Sequence, residues 1–154
     1  MKYCTYFILL LVALNPLQKS MAQENNKESA AVLNHIAVYV ADLNIATEFY
    51  KNVFNLTQIP EPFHDKKHTW FSLGNAGQLH LIEGARSNET YDKNAHLCFS
   101  VVSIDDFINK LKTKSVDFEN WAGVKAEVTL RVDGVKQIYF KDPDGHWLEV
   151  NNAR

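Results

Sequence analysis

The 154-residue chain carries 18 acidic against 16 basic side chains, a formal net charge of −2, which excludes a surface built for nucleic acid. Its hydrophobic share, 46%, supplies enough apolar side chain for one domain with a substantial core. With two cysteines, one of them Cys4 near the start, a disulfide framework is excluded.

Residues 1–22 read as a secretory signal peptide. Lys2 gives a positive start, Phe7 to Leu14 is apolar throughout, and Ser20-Met21-Ala22 offers small residues for cleavage before Gln23. The apolar run is short for a bilayer span, so the expectation is an exported chain, periplasmic or secreted, with no membrane attachment after cleavage. Residues 23–32 are polar, aperiodic and read as a flexible leader. Cys98 is then the only thiol of the mature chain, and its strand setting predicts a small buried residue rather than a nucleophile.

Organised sequence runs from 33 to 154 as a single domain. Leu33 to Val40 is a β-branched and aliphatic strand, and Asp42 caps a helix whose apolar positions Ile45, Phe49, Val53 and Leu56 recur at helical spacing. Leu56–Ile59, Thr69–Leu73 and Gln78–Glu83 are predicted strands, the last two joined around Gly74-Asn75-Ala76-Gly77. Gly84 to Asn94 is a polar joint. The order then repeats: strand Ala95–Val102, a helix capped by Ser103, a strand at Val116–Trp121, and a hairpin of Val135–Phe140 with Trp147–Asn151. Residues 122–134 are the least regular part of the second copy and suit either a strand or a lid. His35-Ile36-Ala37-Val38-Tyr39-Val40 overlays His96-Leu97-Cys98-Phe99-Ser100-Val101 at an offset of 61 positions, which both helix caps keep. The chain is thus an internal duplication, module 1 at 33–84 and module 2 at 95–152.

Strand parity singles out four side chains. His35, His80, His96 and Glu149 each alternate with aliphatic neighbours, so each projects from the face opposite the one that packs under the helices. His35 and His96 hold the same place in the two modules, and His80 and Glu149 both fall on a last strand. Three imidazoles and a carboxylate make a first shell for a divalent ion such as zinc, nickel, iron(II), cobalt or manganese. A lone strand histidine is usually a satisfied structural residue; repetition at equivalent places favours the metal reading. His64 and His68 are expected to be solvated loop residues, and His146 to hydrogen-bond within its turn. Trp70, Trp121 and Trp147 suit a core as well as a pocket, while Tyr39 shares the parity of His35.

Asn34-His35-Ile36-Ala37-Val38-Tyr39-Val40-Ala41-Asp42-Leu43, followed by Phe49-Tyr50 and Val53-Phe54-Asn55-Leu56, resembles the opening of the vicinal oxygen chelate superfamily. Phe140-Lys141-Asp142-Pro143-Asp144-Gly145-His146-Trp147-Leu148-Glu149 resembles its closing motif. The group includes glyoxalase I, fosfomycin resistance thiol transferases, methylmalonyl-CoA epimerase, extradiol dioxygenases and bleomycin resistance proteins. The resemblance implies an α+β fold of two tandem βαβββ modules forming a curled mixed sheet around a metal cleft, commonly in a homodimer. It places ligands at His35, His80, His96 and Glu149; glyoxalase I usually has Glu at the place of His80. The expected activity is that of a glyoxalase I-like, metal-dependent lyase or isomerase acting on a small substrate chelated through vicinal oxygens, with Glu149 also moving the proton. An iron(II) dioxygenase and a non-catalytic binding or resistance protein are the alternatives.

Overall fold

A computed structural model describes residues 30–86 and 89–153. The signal-peptide reading and most of the leader lie outside the described residues. The described residues from Val32 onward cluster as one unit, in the order β1 (His35–Val40), α1 (Leu43–Phe54), β2 (Thr57–Ile59), β3 (His68–Ser72), β4 (Gln78–Glu83), β5 (His96–Ser100), α2 (Ile104–Thr113), β6 (Thr129–Leu130), β7 (Lys136–Lys141) and β8 (Trp147–Asn151).

Both helices start where a short polar side chain satisfies an otherwise orphaned N–H. Ile45 N donates to Asp42 Oδ1 at 3.0 Å and Asp106 N to Ser103 Oγ at 3.1 Å. Helix α1 ends at Asn55 in the left-handed region, φ 56°, which asparagine tolerates. Each helix buries one stripe: Ala46, Tyr50 and Val53 in α1, and Ile104, Phe107, Ile108 and Leu111 in α2.

The strands form two four-stranded mixed sheets, β1-β4-β3-β2 and β5-β8-β7-β6, each with one parallel and two antiparallel pairings. Their registers are superimposable: Ala37 pairs with His80 and His80 with Trp70, as Cys98 pairs with Glu149 and Glu149 with Tyr139. The expected α+β fold of two βαβββ modules is present, each module forming its own mixed sheet. Among the described residues β1 has no bonded neighbour but β4, and β5 none but β8.

The helix-side faces of both sheets share one core. Phe54, at the end of α1, stacks on Phe99 of β5 at 4.1 Å between centroids and packs against Phe107 and Phe140. The closing turn stitches the modules together. Tyr50 donates to Asp142 Oδ2 at 2.9 Å inside the core, and Ala41 N donates to Asp144 Oδ1 at 2.7 Å. Gly145 takes φ 89°, a value a branched residue would resist, and closes this turn.

Two strand expectations change. Val116–Trp121 is not a strand: only Glu119 bridges, to Tyr139 and Lys125. On either side of Glu119 the backbone bonds locally, through Ala126 N to Phe118 O and Asn120 N to Val124 O. The short β6 comes from within 122–134, where Thr129 reaches the edge of β7.

Candidate metal centre

Each sheet keeps one face under the helices and leaves the other open, as the parity argument requires. In β1, Val38 and Val40 are buried while His35, Ala37 and Tyr39 are exposed; in β5, Cys98 and Ser100 are exposed. The two open faces differ in chemistry.

On the second sheet Glu149 stands in the middle of its row, 7% exposed. Its Oε2 accepts from Tyr139 OH at 2.7 Å and lies 3.3 Å from His96 Nε2, while Oε1 accepts from Asn151 Nδ2 at 2.8 Å and from Cys98 Sγ at 3.4 Å. Burial pushes the carboxyl pKa up, but the donors Tyr139, Asn151 and Cys98 and the His96 ring outweigh it and hold Glu149 below its ordinary value. An ionised carboxylate is thus kept in a nearly closed row. Burial and the bond to Glu149 raise the Tyr139 phenol in turn, so it stays a donor. His96 Nδ1 lies 2.7 Å from Lys93 O and donates to it, which turns Nε2 toward Glu149. The Lys93 ammonium is held by Glu119, lies 4.5 Å over the Trp147 ring, and anchors this carbonyl.

On the first sheet the corresponding row carries rings. His80, 7% exposed, is sandwiched between Trp70 at 3.9 Å and His35 at 4.2 Å, with interplanar angles of 4° and 11°. His35 Nδ1 lies 2.8 Å from Asn34 Oδ1, so His35 repeats the tautomer of His96 and frees Nε2. His80 does the opposite: its Nε2 lies 2.8 Å from Gln78 Oε1. Burial, followed by the His35 and His68 rings, lowers its pKa, so it rests neutral. Gly77, at φ 104°, permits this corner, because a Cβ there would meet Asn34 O at 2.4 Å.

The four predicted ligands are therefore divided into two pairs, His35 with His80 and His96 with Glu149. Among the described residues no three His, Cys, Asp or Glu side chains gather around one point within the chain. His146 behaves as expected, its Nδ1 2.9 Å from Asp142 Oδ2. His64 is exposed in the loop beside Glu61. His68 differs from expectation: it opens β3, is paired with Asp65 at 2.9 Å, and lines the face of His35 and His80. Cys98 differs too, being exposed on the open face; partial desolvation and the Glu149 charge lift its thiol to about 12. Tyr139, Asn151 and Lys93 were missed by the sequence reading. Asn151 shares the parity of Glu149, and counting back through the closing turn would have paired Tyr139 with it.

Fold and site together define a duplicated βαβββ architecture whose open faces present imidazoles and a carboxylate. Residues 32–150 match the model of the Glyoxalase/Bleomycin resistance protein/Dioxygenase superfamily, and the chain belongs to that family. Among its relatives is the metallothiol transferase FosB of Shouchella clausii, 32% identical over 124 residues that cover 79% of this chain and 80% of that one. Human mitochondrial methylmalonyl-CoA epimerase is 28% identical over 134 residues, covering 79% and 73%. A variant of the fosfomycin resistance protein FosX from Listeria monocytogenes, crystallised with Mn(II) and a dihydroxypropylphosphonic acid, superimposes with a TM-score of 0.65 at 26% identity. That match covers 82% of this chain and 95% of FosX.

Proposed function

We propose that this protein is an exported, metal-dependent lyase or isomerase of the glyoxalase I-like type, acting on a small substrate chelated through two neighbouring oxygens. Each cleft is built in a homodimer from the first sheet of one copy and the second sheet of the other. One observation carries this reading: His96 Nε2 and Glu149 Oε2 stand 3.3 Å apart, with His96 Nδ1 occupied by Lys93 O so that Nε2 is the nitrogen turned to the carboxylate.

The donor set fits a divalent cation. Ligand atoms about 2.0–2.2 Å from one ion stand roughly 3 Å apart, the spacing of this pair. His96 and Glu149 would hold the ion with His35 from the second copy, whose Nε2 is freed in the same manner. His80 could join as a fourth ligand through Nε2 only by giving up Gln78. When bound, the cation supplies Lewis-acid stabilisation of negative charge on the substrate's oxygens. Glu149, kept ionised, can take a carbon-bound proton at Oε1 and return it to the neighbouring carbon, while Tyr139 and Asn151 fix the carboxylate's orientation. Export rests on the leading segment and argues against a reaction tied strictly to glutathione.

A second reading, thiol transfer to a small anionic substrate, draws on the identity to FosB. The cations around the second sheet weigh against it. Lys93 is neutralised by Glu119, Arg131 pairs with Asp133 at 2.6 Å, and Lys141 lies over the Trp147 ring at 4.7 Å.

The test is metal content followed by complementation. Glu149→Ala and His35→Ala homodimers should each lack a complete site and be inactive. Mixed and re-equilibrated, they should recover roughly a quarter of the wild-type sites, because half the dimers are mixed and each mixed dimer rebuilds one site of two. Activity is read as loss of methylglyoxal–thiol adducts, with thiol addition to fosfomycin and oxygen uptake with catechols run beside it. Full metal occupancy in Glu149→Ala would sink the site; turnover only of fosfomycin or of catechols would replace the lyase reading.

A further inference from the structure

The first sheet's open face holds a recess of about 460 Å³, within the size range of small-ligand pockets, lined by Phe63, His68, Trp70, His80, Ile82 and His35, with Asn34 and Gln78 at its edge. We propose that this recess seats a flat aromatic ring carried by the substrate, so that the enzyme favours aryl-substituted over short alkyl vicinal-oxygen compounds. The inference rests on the cleft proposed above and names its substrate class.

Three observations lead there. Trp70, His80 and His35 stack face to face into one slab of rings, within 11° of parallel at each contact, with both faces of His80 covered. Phe63 rises beside the slab, 80° to the Trp70 ring with centroids 6.0 Å apart and 4.7 Å from His68, and is 59% exposed. With its faces used inside the stack, the slab meets the recess with ring edges, and Phe63 stands beside it, so a seated ring can take the edge-to-face arrangement that aromatic pairs favour. Among the described residues no Lys, Arg, Asp or Glu lines the recess. An anionic group would find no partner there, and a methyl group would leave most of the volume to water. The second sheet supplies what this face lacks: Glu149, Asn151, Gln137 and Ser100 are polar and suited to the reacting oxygens. Because His35 lines the recess, a seated ring would lie next to the chelated atoms, not at the end of a long arm.

Phenylglyoxylate and pyruvate test this directly, since both present the same pair of oxygens and differ in phenyl against methyl. Titrated into zinc-loaded protein and followed by tryptophan fluorescence and calorimetry, phenylglyoxylate should bind about tenfold more tightly than pyruvate, the increment expected for seating one aromatic ring. Phe63→Ala should bring the two affinities within about threefold, while Phe63→Tyr should keep the preference. Equal affinities in the wild type, or a preference that Phe63→Ala leaves untouched, would overturn the proposal. So would a Phe63→Ala variant that loses its dimer, because the ring would then serve the subunit contact. The same ratio measured in metal-free protein separates the readings. Phenyl preference without methylglyoxal-adduct turnover leaves the recess standing and removes the lyase; turnover without phenyl preference does the reverse.

Discussion

The two open faces descend from one duplicated pattern and have been filled in opposite ways. At equivalent places stand His35 and His96, Ala37 and Cys98, His80 and Glu149, Trp70 and Tyr139, Ile82 and Asn151. The second sheet can bury a carboxylate because Tyr139 and Asn151 donate to it. The first sheet has Trp70 and Ile82 in those places, so a carboxylate there would lack the two donors that hold Glu149. An imidazole, neutral and stackable, is the polar group that such a row tolerates. Polar satisfaction across the row, more than the strand pattern along the chain, decides which residue a central position can hold.

The sharpest way to break that comparison is to make the rows alike. His80→Glu places a carboxylate between Trp70 and His35 and should cost about 3–5 kcal/mol, the usual penalty for a buried charge without a partner. Its pH dependence should oppose that of Glu149. A buried unpaired carboxyl has its pKa raised in the folded state, so the variant's deficit should shrink as pH falls toward 4. Glu149 is held below its ordinary value, so its own stabilisation is present above about pH 4.5 and is lost as pH falls through the folded value. Thermal unfolding of metal-free protein between pH 4 and 8 reads both signs.

A smaller effect is expected from thinning the second row. Tyr139→Phe leaves Oε2 of Glu149 with only the His96 ring and should lower metal affinity roughly 10–100-fold, the range for losing a partner of a ligand. A competition titration against a chelator measures it. An unchanged affinity would mean that Asn151 alone orients the carboxylate. The smallest effect belongs to Cys98→Ser. The thiol is exposed and held protonated, so stability should move by less than about 0.5 kcal/mol and metal affinity should hardly change. A large loss of affinity would make Cys98 a ligand.

Much of this molecule was legible along the chain. The helix caps Asp42 and Ser103, the bounds Gln78–Glu83 and Trp147–Asn151, the duplication, and the faces that His35, His80, His96 and Glu149 share all follow from period-two and helical spacing. These are local properties, set by neighbours a few residues away. The failures were of another kind. Val116–Trp121 has strand composition but reaches β7 only through Glu119 and otherwise bonds within its own turn, while His68 looks like loop until β4 pairs with it. Cys98 looks buried until its face proves to be the open one.

Sequence alone therefore determined the two βαβββ modules, their capped helices and the side of each sheet on which the chemistry-bearing residues stand, because backbone geometry makes facing a matter of parity. Only the tertiary structure decided which of those residues meet. Strand register across each sheet gave Glu149 its donors and His80 its stacking partners, and burial of the helix-side faces against each other left His35 and His96 on separate open sheets. Contacts between strands depend on pairings tens of residues apart, and no local pattern encodes them.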